Sequence, residues 1–284
     1  MKIAFSLLHY NNKEVTTEAI AYLQKISKIE ECEIIVVDNA SPNGSGEKLM
    51  KAYENISNIH VIINSKNGGF AYGNNIGYQF AKKLGCDVIV VMNNDIFIKD
   101  QDFITKLESE SSICDGEIIA PNIIGRNGAQ NPFRLEPLSD QKLKKMLWYN
   151  SFVNIIYHIP VIKECLAAFL DKKSNRKKQS VAVVTSGTKC IPHGACVIYL
   201  SNWIKYEEIA FVPDTFMYFE EDVLGEYMLK KKYSAVYNDE LVVYHVEDAS
   251  VEYDNKTSVK KRLFISECMK KSIKALIRIR NSKV

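Results

Sequence analysis

The sequence predicts an α/β fold built on a mostly parallel sheet, and three observations carry that reading. Over the first hundred residues, short apolar runs alternate with longer segments of helical period. Runs such as "CEIIVVDN" and "CDVIVVMNND" are apolar at consecutive positions, the pattern of strands buried on both faces. Four successive runs also end in Asp or Asn. With 284 residues, 46% of them hydrophobic, the chain can bury the core of one large α/β domain or of one domain with an appendage.

In order along the chain, "KIAFSLL" reads as a strand. "KEVTTEAIAYLQKI" reads as a helix with Ala19, Leu23 and Ile26 on one side. The strand "CEIIVVDN" leads into the turn "ASPNGSG" and the helix "EKLMKAYENI". "NIHVIINS" is the third strand, a Gly-rich segment opens the next helix, and "CDVIVVMNND" is the fourth strand. Strands separated by helices of about ten residues imply parallel pairing with helices on both faces. Beyond Asp100 the pattern loosens. "EIIAPNII", "KCIPHGACVIYL" and "YSAVYNDELVVYHV" read as strands, and a helix begins near Glu220. Residues 138–180 are apolar but interrupted by Pro160, Lys163 and Glu164. That reads as a pair of packing or interfacial helices, not a membrane span.

Composition narrows the class. Seven dispersed cysteines (32, 86, 114, 165, 190, 196 and 268) form no CxxC pair and no zinc spacing, so they read as reduced thiols of a cytoplasmic protein. The six-residue apolar run at the start is too short for a signal sequence. Net charge is +3, but residues 256–284 carry +9 and the first 255 carry −6. The basicity belongs to the tail, which argues against nucleic acid as a partner.

In an open parallel sheet, ligands bind at the carboxyl ends of the strands. Those ends are "HYNN", "VVDNAS", "NSKNGG" and "MNND". Any one has an ordinary account, because Asx residues cap helices and make turns; four together favour a site. In "KNGGFAYGNNIG" the glycines do not match a dinucleotide fingerprint, which needs G-x-G-x-x-G after the first strand. Gly69, Gly73 and Gly77 recur every four residues and leave one helix face bare, so its backbone can approach the sheet. The N-terminus of that helix, near Asn67, offers N–H groups to an anion. Asp95, at the end of a buried strand with no adjacent Lys or Arg, suits a hard divalent cation. Its alternative role, capping the following helix, suits Asp100 better. Glu220, Glu221 and Asp222 open a helix, where they either complement its dipole or include a general base. His245, at a strand end, is a further metal ligand if it folds back near Asp95.

"VVDNAS", "NGGFAYGNNIG", "VMNND", "PHGACVIYL", "FMYFEED" and "VYHVEDAS", in that order, resemble the family 2 inverting glycosyltransferases. The likeness is greatest to the bacterial rhamnosyltransferase-like branch that builds surface polysaccharides, and it spans residues 1–250. It implies a GT-A fold: a Rossmann-like, mostly parallel sheet with a nucleotide-binding half over 1–100. An acceptor-side half with a smaller mixed sheet would follow over 101–250, carrying a helical insert near 138–180. A basic amphipathic helical tail fills 251–284. The resemblance puts Tyr10 and Asp38 against the nucleoside of a nucleoside-diphosphate sugar. It puts Asn67, Gly68 and Gly69 along the nucleotide and diphosphate, with Asn94 beside them. Asp95 becomes the surviving carboxylate of the metal-binding Asp-x-Asp motif, with His245 helping to hold Mn2+ or Mg2+. Asp222 becomes the base, with Glu221 beside it. The chain departs from the motif at Asn93, which removes one negative charge.

The implied reaction moves a hexose, from dTDP-rhamnose or a UDP-hexose, to a hydroxyl of a glycan carried on lipid. Three other readings compete: a nucleotide-sugar pyrophosphorylase, a non-catalytic sugar-binding or scaffold protein, and a nicotinamide oxidoreductase. The first lacks its basic Gly-rich loop after strand one, and the last fails on glycine spacing. The tail has Ile265, Met269, Ile273, Leu276 and Ile277 on one helical face, with seven Lys and Arg around it. Such a helix suits peripheral attachment to an anionic membrane, or packing on the domain or on the second subunit of a homodimer.

Overall fold

The computed structural model describes residues 1–126, 128–129, 134–157, 184–246 and 258–282. β1 (Ile3–His9) lies between β2 (Glu33–Asp38) and β4 (Val88–Asn93), and β3 (Ile59–Ile63) pairs with β2, all parallel. The register sets Leu8 opposite both Val37 and Asn93, and His9 opposite Asp38, which faces Ile63. The polar strand ends therefore stand in one row, as the fold class requires.

Between these strands run α1 (Lys13–Leu23), α2 (Ser45–Tyr53) and α3 (Phe70–Lys83). Side chains of β1 alternate between two cores. Ile3, Phe5 and Leu7 join Ala19, Ile20 and Leu23 of α1 on one face. Ala4 joins Tyr78 and Ala81 of α3 on the other. Continuous apolar runs were the right signal because both faces are covered.

The remaining strands are β5 (Ile96–Phe97), β6 (Ile118–Gly125), β7 (Gly128–Ala129), β8 (Lys189–Cys190), β9 (Cys196–Tyr199) and β10 (Ala235–His245). The smaller mixed sheet expected of the second half is continuous with the first. The order is β3-β2-β1-β4-β9-β6-β10-β5, with β9 antiparallel to β4 and to β6, and β10 parallel to β6. "KCIPHGACVIYL" splits into β8 and β9 around a turn. A bulge between Asn238 and Val242, held by Asn238 Oδ1 accepting from the N–H groups of Glu240 and Leu241, resets β10. His245 then pairs with Ile96 on β5.

α4 (Phe103–Ile113), α5 (Asp140–Tyr157), α6 (Ser201–Tyr206), α7 (Glu220–Lys231) and α8 (Ser258–Asn281) complete the described helices. The cap position of α4 is Asp102 rather than Asp100, whose carboxylate accepts the Asp102 N–H and pairs with Lys106. The apolar stripe of the tail helix packs within the chain. Ile273 and Leu276 of α8 are buried with Leu143 of α5, Val223 of α7, and Leu138, Val212 and Phe219. Arg280 fixes the end of α8 by binding both carboxylate oxygens of Glu226, the Leu138 carbonyl and Asp140. Of the second interrupted helix expected near 160–180, residues 158–183 lie outside the described set. Among described residues no helix is long and apolar enough to cross a membrane, and six cysteines are free thiols.

Candidate active site

The row of strand ends opens on a cavity of about 440 Å3. It is lined by Leu8, Tyr10, Asn39, Asn67, Gly69, Phe70, Asn93, Asn94 and Asp95, and by Phe216, Met217, Tyr218 and, from α8, Phe264. Phe264 meets Phe216 and Tyr218 edge-on, with ring centroids 6.1 and 6.5 Å apart. The lining combines amides and a carboxylate with an aromatic wall of Phe216, Tyr218 and Phe264, which suits a ligand with a polar head and a sugar ring.

The Gly-rich segment is shaped by asparagines. Asn39 Nδ2 donates to Asn67 Oδ1 at 3.0 Å and to the Gly69 carbonyl at 3.1 Å, while Asn67 Oδ1 also accepts the Gly69 N–H. Asn64 Nδ2 donates to Asn39 Oδ1. Gly69 has φ +89, and a Cβ there would overlap the backbone of Phe216. A Cβ on Gly73 would overlap Leu8, and one on Gly77 would overlap Ser6 Oγ. The bare helix face lets α3 sit against β1, as its spacing suggests. The first helical N–H is not offered to a ligand: Phe70 donates it to the Phe216 carbonyl at 2.7 Å. Gly68 lies under the Tyr72 ring instead of on the cavity wall.

Asp38 is not on that wall either. It is buried, accepts hydrogen bonds from Ser41 N and Ser41 Oγ, and lies 3.8 Å from His9 Nε2. His9 is fully buried between Thr16 Oγ1 and Ser45 Oγ, each at 2.7 Å. Burial lowers its pKa, so it is a neutral hub. Asn94 borders the cavity but points its amide inward, to Thr16 Oγ1 at 2.9 Å.

Asp95 and His245 do come together. Pairing of β5 with β10 sets His245 Nε2 3.4 Å from Asp95 Oδ1, and the Asp95 carbonyl accepts the Val246 N–H. Asp95 is buried, and its Oδ1 accepts no hydrogen bond. An unpartnered carboxylate oxygen beside an imidazole is a pair of groups that would suit a divalent cation. Among described residues no group of three or more metal-type side chains exists. The His193 ring stands 6.0 Å from that of His245. Its Nδ1 accepts the Ala195 N–H. Burial, then the nearby His245, lowers its pKa to about 4, which keeps it neutral.

The acidic triplet sits one step further on. Gly194, next to His193, faces the Glu221 carboxylate, which a Cβ at that glycine would approach to 3.7 Å. Tyr218 and Phe219, at φ +69 and +76, turn the chain from the aromatic wall into α7; two such residues in a row are strained. The three acids differ. Asp222 has a side chain 1% exposed, and its Oδ1 accepts a 2.7 Å hydrogen bond from Arg134 Nε. Arg134 is itself tied to Ile191 through both backbone groups. Burial raises the pKa of Glu221 to about 7 against a partial opposing effect of Arg134. Burial, then Glu221, raises that of Glu220 to about 8. Sequence reading did not single out Asn39, His9, Arg134, His193 or Phe264. Asn39 stood inside a quoted strand end; nothing local marked Arg134.

The glycosyl transferase family 2 model matches residues 7–178. That stretch contains the Gly-rich segment and Asp95 but not Glu221, Asp222 or His245. The chain is 26% identical over 191 residues to the low-salt glycan biosynthesis hexosyltransferase Agl10 of Haloferax volcanii, covering 66% of this chain and 50% of that one. It is 29% identical over 100 residues to the dTDP-rhamnosyl transferase RfbF of Shigella flexneri, covering 35% and 32%. It thus spans half or less of these relatives. Among solved structures, it resembles S. aureus TarS bound to UDP-GlcNAc (TM-score 0.58, 13% identity, 100% of this chain and 68% of that one). It also resembles the mannosyltransferase PcManGT of Pyrobaculum calidifontis bound to GDP-Man and Mn2+ (TM-score 0.54, 10% identity, 99% and 76%). These likenesses show the GT-A fold. The match of the family model over more than half of the chain shows that the protein belongs to glycosyl transferase family 2.

Proposed function

We propose that this chain transfers a hexose from a nucleoside-diphosphate sugar to a hydroxyl of a glycan acceptor, with inversion at the anomeric carbon. The observation that carries the reading is the run of neighbours Asp95, His245, His193, Gly194 and Glu221, which starts at the cavity wall with Asp95. It links a cation-type carboxylate on that wall to a carboxyl of raised pKa. The named relatives, a hexosyltransferase and a dTDP-rhamnosyl transferase, support a hexose donor, and dTDP-rhamnose or a UDP-hexose is the natural first choice.

Tyr10, Asn39 and Asn67 border the nucleoside in this proposal, and the loop from Asn67 to Gly69 runs along the diphosphate. A divalent ion held by Asp95 and His245 would neutralise charge on the leaving diphosphate. Burial raises the pKa of Asp222 too, but Arg134 occupies its Oδ1 and its Oδ2 is buried. Glu221 therefore takes the acceptor proton: its pKa near 7 suits a general base at neutral pH. The acceptor oxygen forms its bond to the anomeric carbon as the bond to the diphosphate oxygen breaks, and the proton passes to the Glu221 carboxylate. One in-line displacement inverts the configuration. The ring formed by Phe216, Tyr218 and Phe264 supplies apolar faces for a sugar. The test is a panel of nucleotide sugars with Mn2+ or Mg2+, read as release of nucleoside diphosphate. Release from one or two donors is expected; release from none would overturn the reading, a thermal shift then leaving a non-catalytic sugar-binding protein and no shift a scaffold.

A further inference from the structure

α5 is apolar on two faces. Leu143, Asn150 and Val153 point inward and are buried. The opposite face carries Trp148, Phe152 and Ile155, exposed to 66%, 47% and 64%, with Tyr149 at its margin. The Trp148 and Phe152 rings stack with centroids 5.3 Å apart and planes 9° from parallel. Four large apolar side chains open to water on one helix exceed the scattered exposure of an ordinary surface.

Charge says what the face fits. Lys144 and Lys145 border it on α5, and both are exposed. The neighbouring groove between α5 and α8 is lined by Asn154, Glu267, Lys270, Lys271 and Lys274. Its Glu267 is hydrogen-bonded by Asn154 Nδ2, and the sole acid of α5, Asp140, is held by Arg280. An apolar centre with a cationic rim repels a second copy of itself and complements anionic headgroups.

We infer that the outward face of α5, rimmed by the lysines of α5 and α8, docks this chain on an anionic lipid surface. The apolar contact comes from α5, because the stripe of α8 is already packed inside the chain. Phe264 of the cavity wall lies two helical turns, about 10 Å, from Lys271 on the same helix. Docking would therefore bring the aromatic wall of the cavity near the headgroups. The inference does not depend on which reaction the cavity performs.

The chain contains two tryptophans, Trp148 and the fully buried Trp203, so intrinsic fluorescence reports on this face. The full chain is titrated with phosphatidylcholine vesicles with and without phosphatidylglycerol, with sedimentation in parallel. With phosphatidylglycerol, Trp148 emission should move to shorter wavelength and the chain should pellet, an effect reversed by high salt. Trp148→Ser with Phe152→Ser should cut partitioning about tenfold or more, as should Lys271→Glu with Lys274→Glu. Absence of both shift and pelleting overturns the inference. So does a dimer by light scattering that Trp148→Ser dissociates, since the face then belongs to a second copy. A melting temperature lowered by several degrees in Phe152→Ser also overturns it, because the face is then covered within the chain.

Discussion

Arg134 Nε donates a 2.7 Å hydrogen bond to Asp222 Oδ1, and this one contact separates two adjacent carboxylates. Asp222 is held in an ion pair with its other oxygen buried and unpartnered. Burial raises the pKa of both carboxyls, but the Arg134 Nε bond goes to Asp222, and Glu221, one residue earlier, lies beside Gly194. The family resemblance implies Asp222 for proton removal; the reaction proposed above gives that role to Glu221.

Substitution distinguishes the two. Glu221→Gln should lower turnover by about 10²–10⁴-fold, the usual weight of a general base, with donor affinity within a few-fold. Asp222→Asn should act through Arg134, lowering stability and raising the acceptor KM without that selective loss. Kinetics with calorimetric donor binding check this, and the reverse pattern would assign the base to Asp222.

The raised pKa of Glu221 fixes the acid limb of the pH profile. A base must be deprotonated, so kcat/KM should fall as pH drops below about 7. Stability should move the other way. A carboxyl whose pKa is raised by folding binds its proton more tightly in the native state. Stability is therefore highest below the ordinary value of 4.5 and is lost as pH rises toward about 7 for Glu221 and about 8 for Glu220. Thermal melts from pH 5 to 8 should show that slope, and Glu221→Gln should flatten part of it.

Much of this was readable in the sequence. Burial on both faces left β1 to β4 as continuous apolar runs, and the acids that suit a helix N-terminus marked the start of α7 at Glu220. The step of four from Gly69 to Gly77 announced the contact of α3 with β1. Other parts had no local signature. Arg134 meets Asp222 across 88 residues, and no pattern in "PHGA" predicts that His193 faces His245. Asp38 turned inward because Ser41, three residues on, satisfies it, a turn that "DNAS" does spell out. The α8 stripe was clear, but a stripe alone does not say whether lipid, a second subunit or its own domain covers it.

Asp95 should carry the effect of metal on nucleotide binding. In the intact chain, UDP or dTDP should bind more tightly with Mn2+ or Mg2+ present, and Asp95→Ala should abolish the gain. His245→Ala should reduce it. Calorimetry showing equal affinity with and without metal would remove the ion from the account.

Close packing of α3 on β1 can be tested by adding one methyl. Gly77→Ala should destabilise by about 1–3 kcal/mol, the usual cost of overpacking. Ser6→Ala removes the opposing Oγ, which is buried without a hydrogen bond. The double variant should recover most of the loss in urea unfolding, giving a coupling energy a simple sum lacks.

The central claim is a single displacement at the anomeric carbon of a nucleotide sugar. Its most direct measurement is the configuration of the transferred sugar, by proton NMR of the product formed from the donor that the panel identifies. From a β-linked donor the account predicts an α-linked product, and from an α-linked donor a β-linked one. Retention of configuration would contradict it.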